Sequence, residues 1–195
     1  MSITVKTISA DEHLAFVAAR GQASFLQLPA WGKAKPEWRS ESVGFFDGDT
    51  LTGVGLVLYR QLPKLPRYLA YLPEGPVLDW DRPDVDAHLE ALVTHARRNK
   101  AFAVRIGPTV VHHRWLAPTV KAAIADPGIT ALSQATPDET TLVGTRVLRT
   151  LDHLGWQPQA EGHGFAAGQP KFNYQLRLTD AEGTVLTDEQ LLKGM

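Results

Sequence analysis

Hydrophobic and polar positions alternate with a period of two through much of the first third of the chain. Ile3 to Ile8 alternates and is rich in β-branched side chains, which predicts a strand. Glu41 to Phe46, Leu51 to Arg60 and Arg67 to Leu72 predict three successive strands. Asp47-Gly48-Asp49 supplies a hairpin turn between the first two, and Pro63 and Pro66 interrupt before the third, so the pattern predicts an antiparallel meander. Ala101 to Ile106 is a compact apolar run ended by Gly107-Pro108, expected to be a buried strand.

Helical periodicity fills the gaps. Ala10-Asp11-Glu12 offers a cap and early acidic residues for a helix to about Arg20, with Leu14, Phe16, Val17 and Ala18 as its apolar face and Gly21 as its stop. Pro29 can open a short helix over Ala30 to Lys35, because proline costs little in a first turn. Asp84 to Asn99 places Val85, Leu89, Leu92, Val93 and Ala96 on one face. His113 to Ile124 and Thr141 to Leu154 are expected to be helices, the second stopped by Gly155. Gly162 to Gln169 reads as a loop and Phe172 to Leu178 as a strand. Thr187 caps a last helix whose apolar face is Leu191-Leu192 and which reaches the end of the chain at Met195. A meander followed by helix, strand, helices and strand predicts a mixed α/β (α+β) sheet flanked by helices, not a doubly wound parallel sheet.

Composition narrows the classes. The 195 residues, 44% hydrophobic, suffice for one sizeable core but not two full domains. A net charge of -1 gives no global field toward polyanions, although basic residues cluster locally: Lys33, Lys35 and Arg39; Arg60, Lys64 and Arg67; Arg97, Arg98, Lys100 and Arg105. With no cysteine there is no disulfide, thiolate metal site or cysteine nucleophile, which fits a reducing cytoplasm. The first ten residues do not read as a signal peptide, and no apolar run is long enough to span a bilayer.

Candidate chemistry is sparse. Phe25-Leu-Gln-Leu-Pro-Ala-Trp-Gly-Lys-Ala-Lys-Pro-Glu-Trp38 sets Trp31 and Trp38 around Lys33 and Lys35. Two lysines near a helix start could hold a phosphate or diphosphate walled by indoles; the reading composition favours is that both tryptophans are core and both lysines solvated. Tyr68-Leu-Ala-Tyr-Leu-Pro-Glu-Gly-Pro-Val-Leu-Asp79 runs a strand into a rigid turn that could present backbone to a ligand or be purely structural. His112 and His113 are adjacent and expected to point apart, and with His163 they have no carboxylate at ligand spacing, so no metal site is expected. Gly53 and Gly55 lack the third glycine and following helix of a dinucleotide fingerprint. No serine sits in a nucleophile elbow, and Asp47, Asp49, Asp79 and Asp81 read as turn formers.

Taken together, these segments resemble the Fem-type peptidoglycan aminoacyltransferases, in actinobacterial phrasing. Phe25 to Trp38 is similar to the family's opening motif, and Tyr71-Leu-Pro-Glu-Gly-Pro-Val-Leu-Asp79 to its strand-to-turn motif. Phe102-Ala-Val-Arg-Ile-Gly-Pro108 is similar to the next strand. Gln169-Pro-Lys-Phe172 with Leu176-Arg-Leu178, and then Glu189 to Met195, are similar to the opening of a second half. The resemblance implies two acetyltransferase-like (GNAT-type) halves, residues 1–160 being the first and residues 161–195 the beginning of a truncated second. It implies a cytoplasmic enzyme of cell-wall biogenesis, in which a stem-peptide amine attacks the ester of an aminoacyl-tRNA. The acceptor would be a UDP-muramyl-pentapeptide or a lipid-linked precursor, with any contact to the inner membrane face peripheral. The co-substrate is aminoacyl-tRNA, and no cofactor or metal is implied.

By the same resemblance, Lys35 matches the position that contacts the acceptor's diphosphate. Lys33, Trp31 and Trp38 neighbour it by motif. No catalytic residue is carried over, because the family's lie in the missing second half, so this portion alone is expected to be inactive. Two other readings stand beside this one. An acetyl-CoA-dependent GNAT enzyme would need a pyrophosphate loop that the sequence lacks. A non-catalytic muramyl-peptide-binding remnant would need only the first half.

Overall fold

The computed structural model describes residues 3–20, 23–158, 170–180 and 182–194. The chain forms two compact units: Met1–Val110 with Arg146–Pro158, and Val111–Thr145 with Gln159–Met195.

The first unit is built on a five-stranded mixed sheet. Strands β1 (Ile3–Thr7), β2 (Arg39–Asp47), β3 (Thr50–Gln61) and β4 (Tyr68–Leu72) form the antiparallel meander. Strand β5 (Ala101–Ile106) joins β4 in parallel, giving the order β1-β2-β3-β4-β5. The β4–β5 crossover is helix α3 (Val85–Arg98), as a parallel connection requires. Helices α1 (Ala10–Arg20) and α2 (Pro29–Lys33) precede β2. The expected mixed sheet flanked by helices is therefore present.

Alternation assigns the two sheet faces. Tyr59, Val57 and Val43 point one way, toward the buried Leu89, Leu92 and Ala96 of α3. Ser42 and Ser40 point the other way, where Ser42 meets His13 of α1 and a Cβ on Gly32 of α2 would lie 2.6 Å from Ser40 Oγ. Only glycine lets α2 lie this close to β2.

One amide fixes the segment between α1 and β2. Gln27, fully buried in a short 3-10 turn after Ser24, donates from Nε2 to the carbonyl of Pro73 at 2.7 Å. Its Oε1 accepts from the Leu56 N–H of β3 at 2.9 Å. The turn after β4 carries a cis Gly75–Pro76 bond, and a Cβ on Gly75 would lie 2.3 Å from Gln27 Cδ. Glycine is needed there by close approach.

Several expectations are corrected. The first helix is capped by Ser9, whose hydroxyl accepts from the Glu12 N–H while the Glu12 carboxylate accepts from Ser9. Its fully buried side chain is His13, while Leu14 is 44% exposed. Strand β5 is not a buried strand: it is the sheet edge, and Phe102 is 52% exposed. Gly21, Gly162 to Gln169 and His163 lie outside the described residues.

In the second unit, His113 starts no helix. His113–Arg114 is a two-residue strand β6, helix α4 runs Ala117–Ala125, and β6 pairs with β7 (Glu139–Thr140). The Asp138 carboxylate ties α4 to this pair, accepting from the Leu116 N–H and the Thr119 hydroxyl. Helix α5 (Leu142–His153), which belongs to the first unit from Arg146 onward, ends at Gly155, with φ +76°, as its glycine stop predicts. Phe172 to Leu178 forms no ladder among the described residues; the extended pattern there lacks a partner strand, and only Thr179 bridges to Val185. Helix α6 (Asp188–Gly194) is capped by Thr187 with Gln190, but Leu192 is 70% exposed, so the pair makes no buried apolar face.

Removing the Gln27 amide strands two buried backbone groups at roughly 1–3 kcal/mol each. Urea unfolding of Gln27→Leu should show that loss, and Gly75→Ala should lose stability by collision with Gln27. Wild-type midpoints for both variants would contradict the clamp.

Candidate functional site

The short α2 segment places two of the four predicted site residues together. Lys35 Nζ lies 5.2 Å from the centroid of the Trp31 ring, and Phe25 stands edge-on to that ring at 5.5 Å. Both Trp31 and Lys35 are half-buried, so the ring desolvates part of the cation without removing it from solvent. Lys33, in the last turn of α2, is exposed and joins neither ring.

Trp38 follows one turn later, its N–H donating to the Lys35 carbonyl at 3.0 Å. It does not wall the Lys35 cation. Instead it packs with Tyr71 at 6.3 Å, and the Arg60 guanidinium lies over its ring at 5.7 Å. Arg105 lies over Tyr71 at 5.9 Å. The reading of both tryptophans as plain core is thus replaced by two half-exposed ring–cation groups. Arg60 and Arg105 belong to separate basic clusters in sequence, and only strand pairing brings them to the same two rings.

The opposite face of the sheet handles charge differently. Glu41 accepts from Thr7 Oγ1 at 2.5 Å and from the Tyr59 hydroxyl at 2.9 Å, and its Oε1 lies 3.1 Å from His95 Nε2 of α3. Burial alone would raise the Glu41 carboxyl, but hydrogen bonds from His95, Thr7 and Tyr59, with the His95 charge, outweigh it and hold it at about 2. His95 Nε2 is therefore best read as the donor to Glu41, and the Asn99 amide donates to the His95 carbonyl at 3.2 Å. Burial and the adjacent Glu41 push the Tyr59 hydroxyl up. Arg39 stacks on Tyr59 at 3.8 Å. This network is closed and cements α3 to the sheet.

His13 is fully buried with Nδ1 3.1 Å from Ser42 Oγ, and burial lowers it to about 4. His112 and His113, expected to diverge, stack at 3.7 Å because His112 precedes the short β6 and follows neither strand nor helix geometry. Among the described residues no group of three or more histidine, aspartate or glutamate side chains is arranged to hold a metal. No described helix is long and apolar enough to cross a membrane.

Gln27, Tyr71, Arg60 and Arg105 were not singled out as site residues from sequence. The glutamine stands inside the motif segment between two apolar residues, a polar residue at a buried position, and that was the available signal.

These features define a mixed α/β protein presenting ring-supported cations on both faces of its sheet. The FemAB family model matches residues 8–195, and the chain belongs to the FemAB family. A lipid II:glycine glycyltransferase of Staphylococcus haemolyticus is 36% identical over 190 residues, covering 96% of this chain and 38% of that protein. Its counterpart in Staphylococcus epidermidis (strain RP62A) is 33% identical over 193 residues, covering 96% and 38%. The chain thus spans under two-fifths of the length of these relatives. The crystal structure of FemX is similar with a TM-score of 0.56 and 24% identity, over 83% of this chain and 34% of that one, a likeness of fold.

Two groups give the stability a pH dependence. The folded value of Glu41 lies below its ordinary 4.5, so its contribution is full above 4.5 and drains as pH falls toward 2. His13 also has a lowered value, so the unfolded chain takes up its proton first and stability falls between pH 6.5 and about 4. Thermal melts should show both losses. His13→Asn should flatten the upper window, and Glu41→Gln the lower one while lowering the midpoint at pH 7. A wild-type midpoint constant from pH 6.5 to 4 would contradict the buried neutral histidine.

Proposed function

We propose that this chain is the acceptor-binding portion of an aminoacyltransferase that extends the stem peptide of a peptidoglycan precursor, forming the cell-wall interpeptide bridge in the cytoplasm. The observation that carries it is the Lys35 cation set over Trp31 on a segment held down by Gln27. A point charge steadied by an indole, with solvent access, suits a diphosphate linking a carrier to the muramyl sugar. Lysine 35 is also the position that the family resemblance aligns with that contact. The staphylococcal relatives, named for lipid II and glycine, support a precursor of this kind as acceptor.

On this reading the donor is an aminoacyl-tRNA. The stem-peptide amine attacks the carbonyl carbon of the aminoacyl ester, a new C–N bond forms and a tetrahedral oxyanion results. Collapse breaks the bond to the ribose oxygen, which leaves with the proton lost by the amine. The step needs orientation of two bound substrates and stabilisation of the oxyanion, and no redox or covalent cofactor. Lys35 and Trp31 contribute orientation by fixing the acceptor's anionic linker, with Lys33 at the margin. Residues 1–160 would be one acetyltransferase-like half and residues 161–195 would open the other.

The test is titration of UDP-muramyl-pentapeptide against wild type and Lys35→Ala. Loss of a charge-assisted contact predicts binding at least tenfold weaker in the variant. Equal affinities would remove Lys35 from the acceptor site, and tight acetyl-CoA binding would favour a different acyl donor.

A further inference from the structure

We infer that the free edge of β1 and the flank of α3 beside it form a two-fold interface that takes a second copy of this chain. Strand β1 ends the sheet, with β2 on one side and no strand on the other. The Ile8 N–H donates to the Ser42 carbonyl at 2.9 Å, which continues the pairing of Thr7 with Val43. Hydrogen bonding alternates along an antiparallel pair, so Thr4 and Lys6 bond to β2 while the backbone groups of Ile3, Val5 and Thr7 face away from the sheet. A strand edge in this state is a template for another strand.

This edge lacks the usual protections. Its five residue pairs with β2 run without a register shift, and the strand contains no proline. At the opposite edge, the pairing of β5 is interrupted by a shift between Tyr68 and Leu69. The one charged side chain of β1, Lys6, lies over the Phe46 ring at 5.3 Å. Thr7 donates to Glu41 on the α3 face, so alternation turns Lys6 to the other face and leaves the α3 side of the edge uncharged. There a groove of about 430 Å³ runs between β1 and α3, and its helix wall includes Ala87, Glu90, Thr94 and Arg98.

Symmetry and charge select the occupant. The Thr7 end of β1 lies by the His95 end of α3, since both hold Glu41, so strand and helix run alongside each other. Four residue steps of strand span about 13 Å, and eight of helix about 12 Å. A two-fold axis beside Val5 therefore pairs β1 antiparallel with its copy and crosses α3 between Ala91 and Thr94. Glu90 of one copy then comes toward Arg98 of the other, twice over. Both side chains are exposed, and the four ion pairs among the described residues include neither. An acid and a base placed on either side of one point on a helix face complement the same face turned end for end. An unrelated extended peptide would use the strand edge and leave that arrangement idle. The interface goes beyond the transferase reading and does not rest on it.

The experiment is sedimentation equilibrium of the whole chain over a concentration series. Wild type should show a monomer–dimer equilibrium in the micromolar range, as a short interface gives. Glu90→Arg and Arg98→Glu each set like charges against one another at both contacts, and each should weaken the dimer about tenfold or more. Mixing the two variants should restore it, because each supplies the partner the other lacks. Both substitutions in one chain should restore it as well. Val5→Pro removes an N–H that faces away from β2, so it should abolish the dimer while thermal melting shows the fold retained. A wild type that stays monomeric at about 100 μM would overturn the interface. So would single charge variants that dimerise as wild type does, or failure of both the mixture and the double exchange to restore the dimer. The UDP-muramyl-pentapeptide titration of Lys35→Ala reads other side chains, and its outcome leaves these results standing.

Discussion

A single buried amide holds the candidate site against the sheet. Gln27 has no exposed surface, and both ends of its side chain are spent on backbone: the Pro73 carbonyl beyond β4 and the Leu56 N–H within β3. Both partners are buried backbone groups that need a hydrogen bond, so the clamp favours one position for the segment carrying Phe25, Trp31 and Lys35. Gly75 and Gly32 are the counterpart of this constraint. Each removes a Cβ that would collide with what the clamp draws close. Positions of the ring–cation pair at Trp31 and of Trp38 one turn later follow from that anchoring.

The sheet then separates two kinds of electrostatics. Toward α3, the half-buried Glu41 is ionised and satisfied by Thr7, Tyr59 and His95; it serves stability. Toward the other face, Lys35, Arg60 and Arg105 lie beside aromatic rings with solvent access. A buried charge without partners would cost several kcal/mol, which is why the first face is closed. A surface charge costs little to leave unpaired, so the second face can be kept for anions. The alternation of side chains along β2, β3 and β4 makes both possible within one thin layer.

Much of this was legible from pattern, and the failures have particular causes. The meander, α3 and the existence of strand β5 follow from period-two and period-3.6 spacing with hairpin and proline punctuation, while the parallel pairing of β5 with β4 came from the structure. Burial of β5 was misjudged because an apolar run does not say whether a strand is central or at an edge; with β5 at the edge, Phe102 faces solvent. Phe172 to Leu178 has strand-like alternation, but a strand exists only in a ladder, and pairing is not local. Leu14 and His13 exchanged roles because a one-residue difference in helix phase turns a neighbour away from the sheet, and the Ser42 hydroxyl gave the histidine a partner.

Within the candidate site the division is the same. The motif from Phe25 to Trp38 drew attention to Lys35 and Trp31, and their contact needs only four residues of chain, a distance that local geometry spans. What the amino-acid sequence determined by itself was which segments would be strands and helices, and which short segment concentrated rings and lysines, because those depend on neighbours along the chain. Only the tertiary structure decided that Trp38 leaves the lysines to join Tyr71, Arg60 and Arg105. Their meeting depends on the register of β3, β4 and β5 and on the Gln27 clamp, and both are set by hydrogen bonds between residues far apart in sequence.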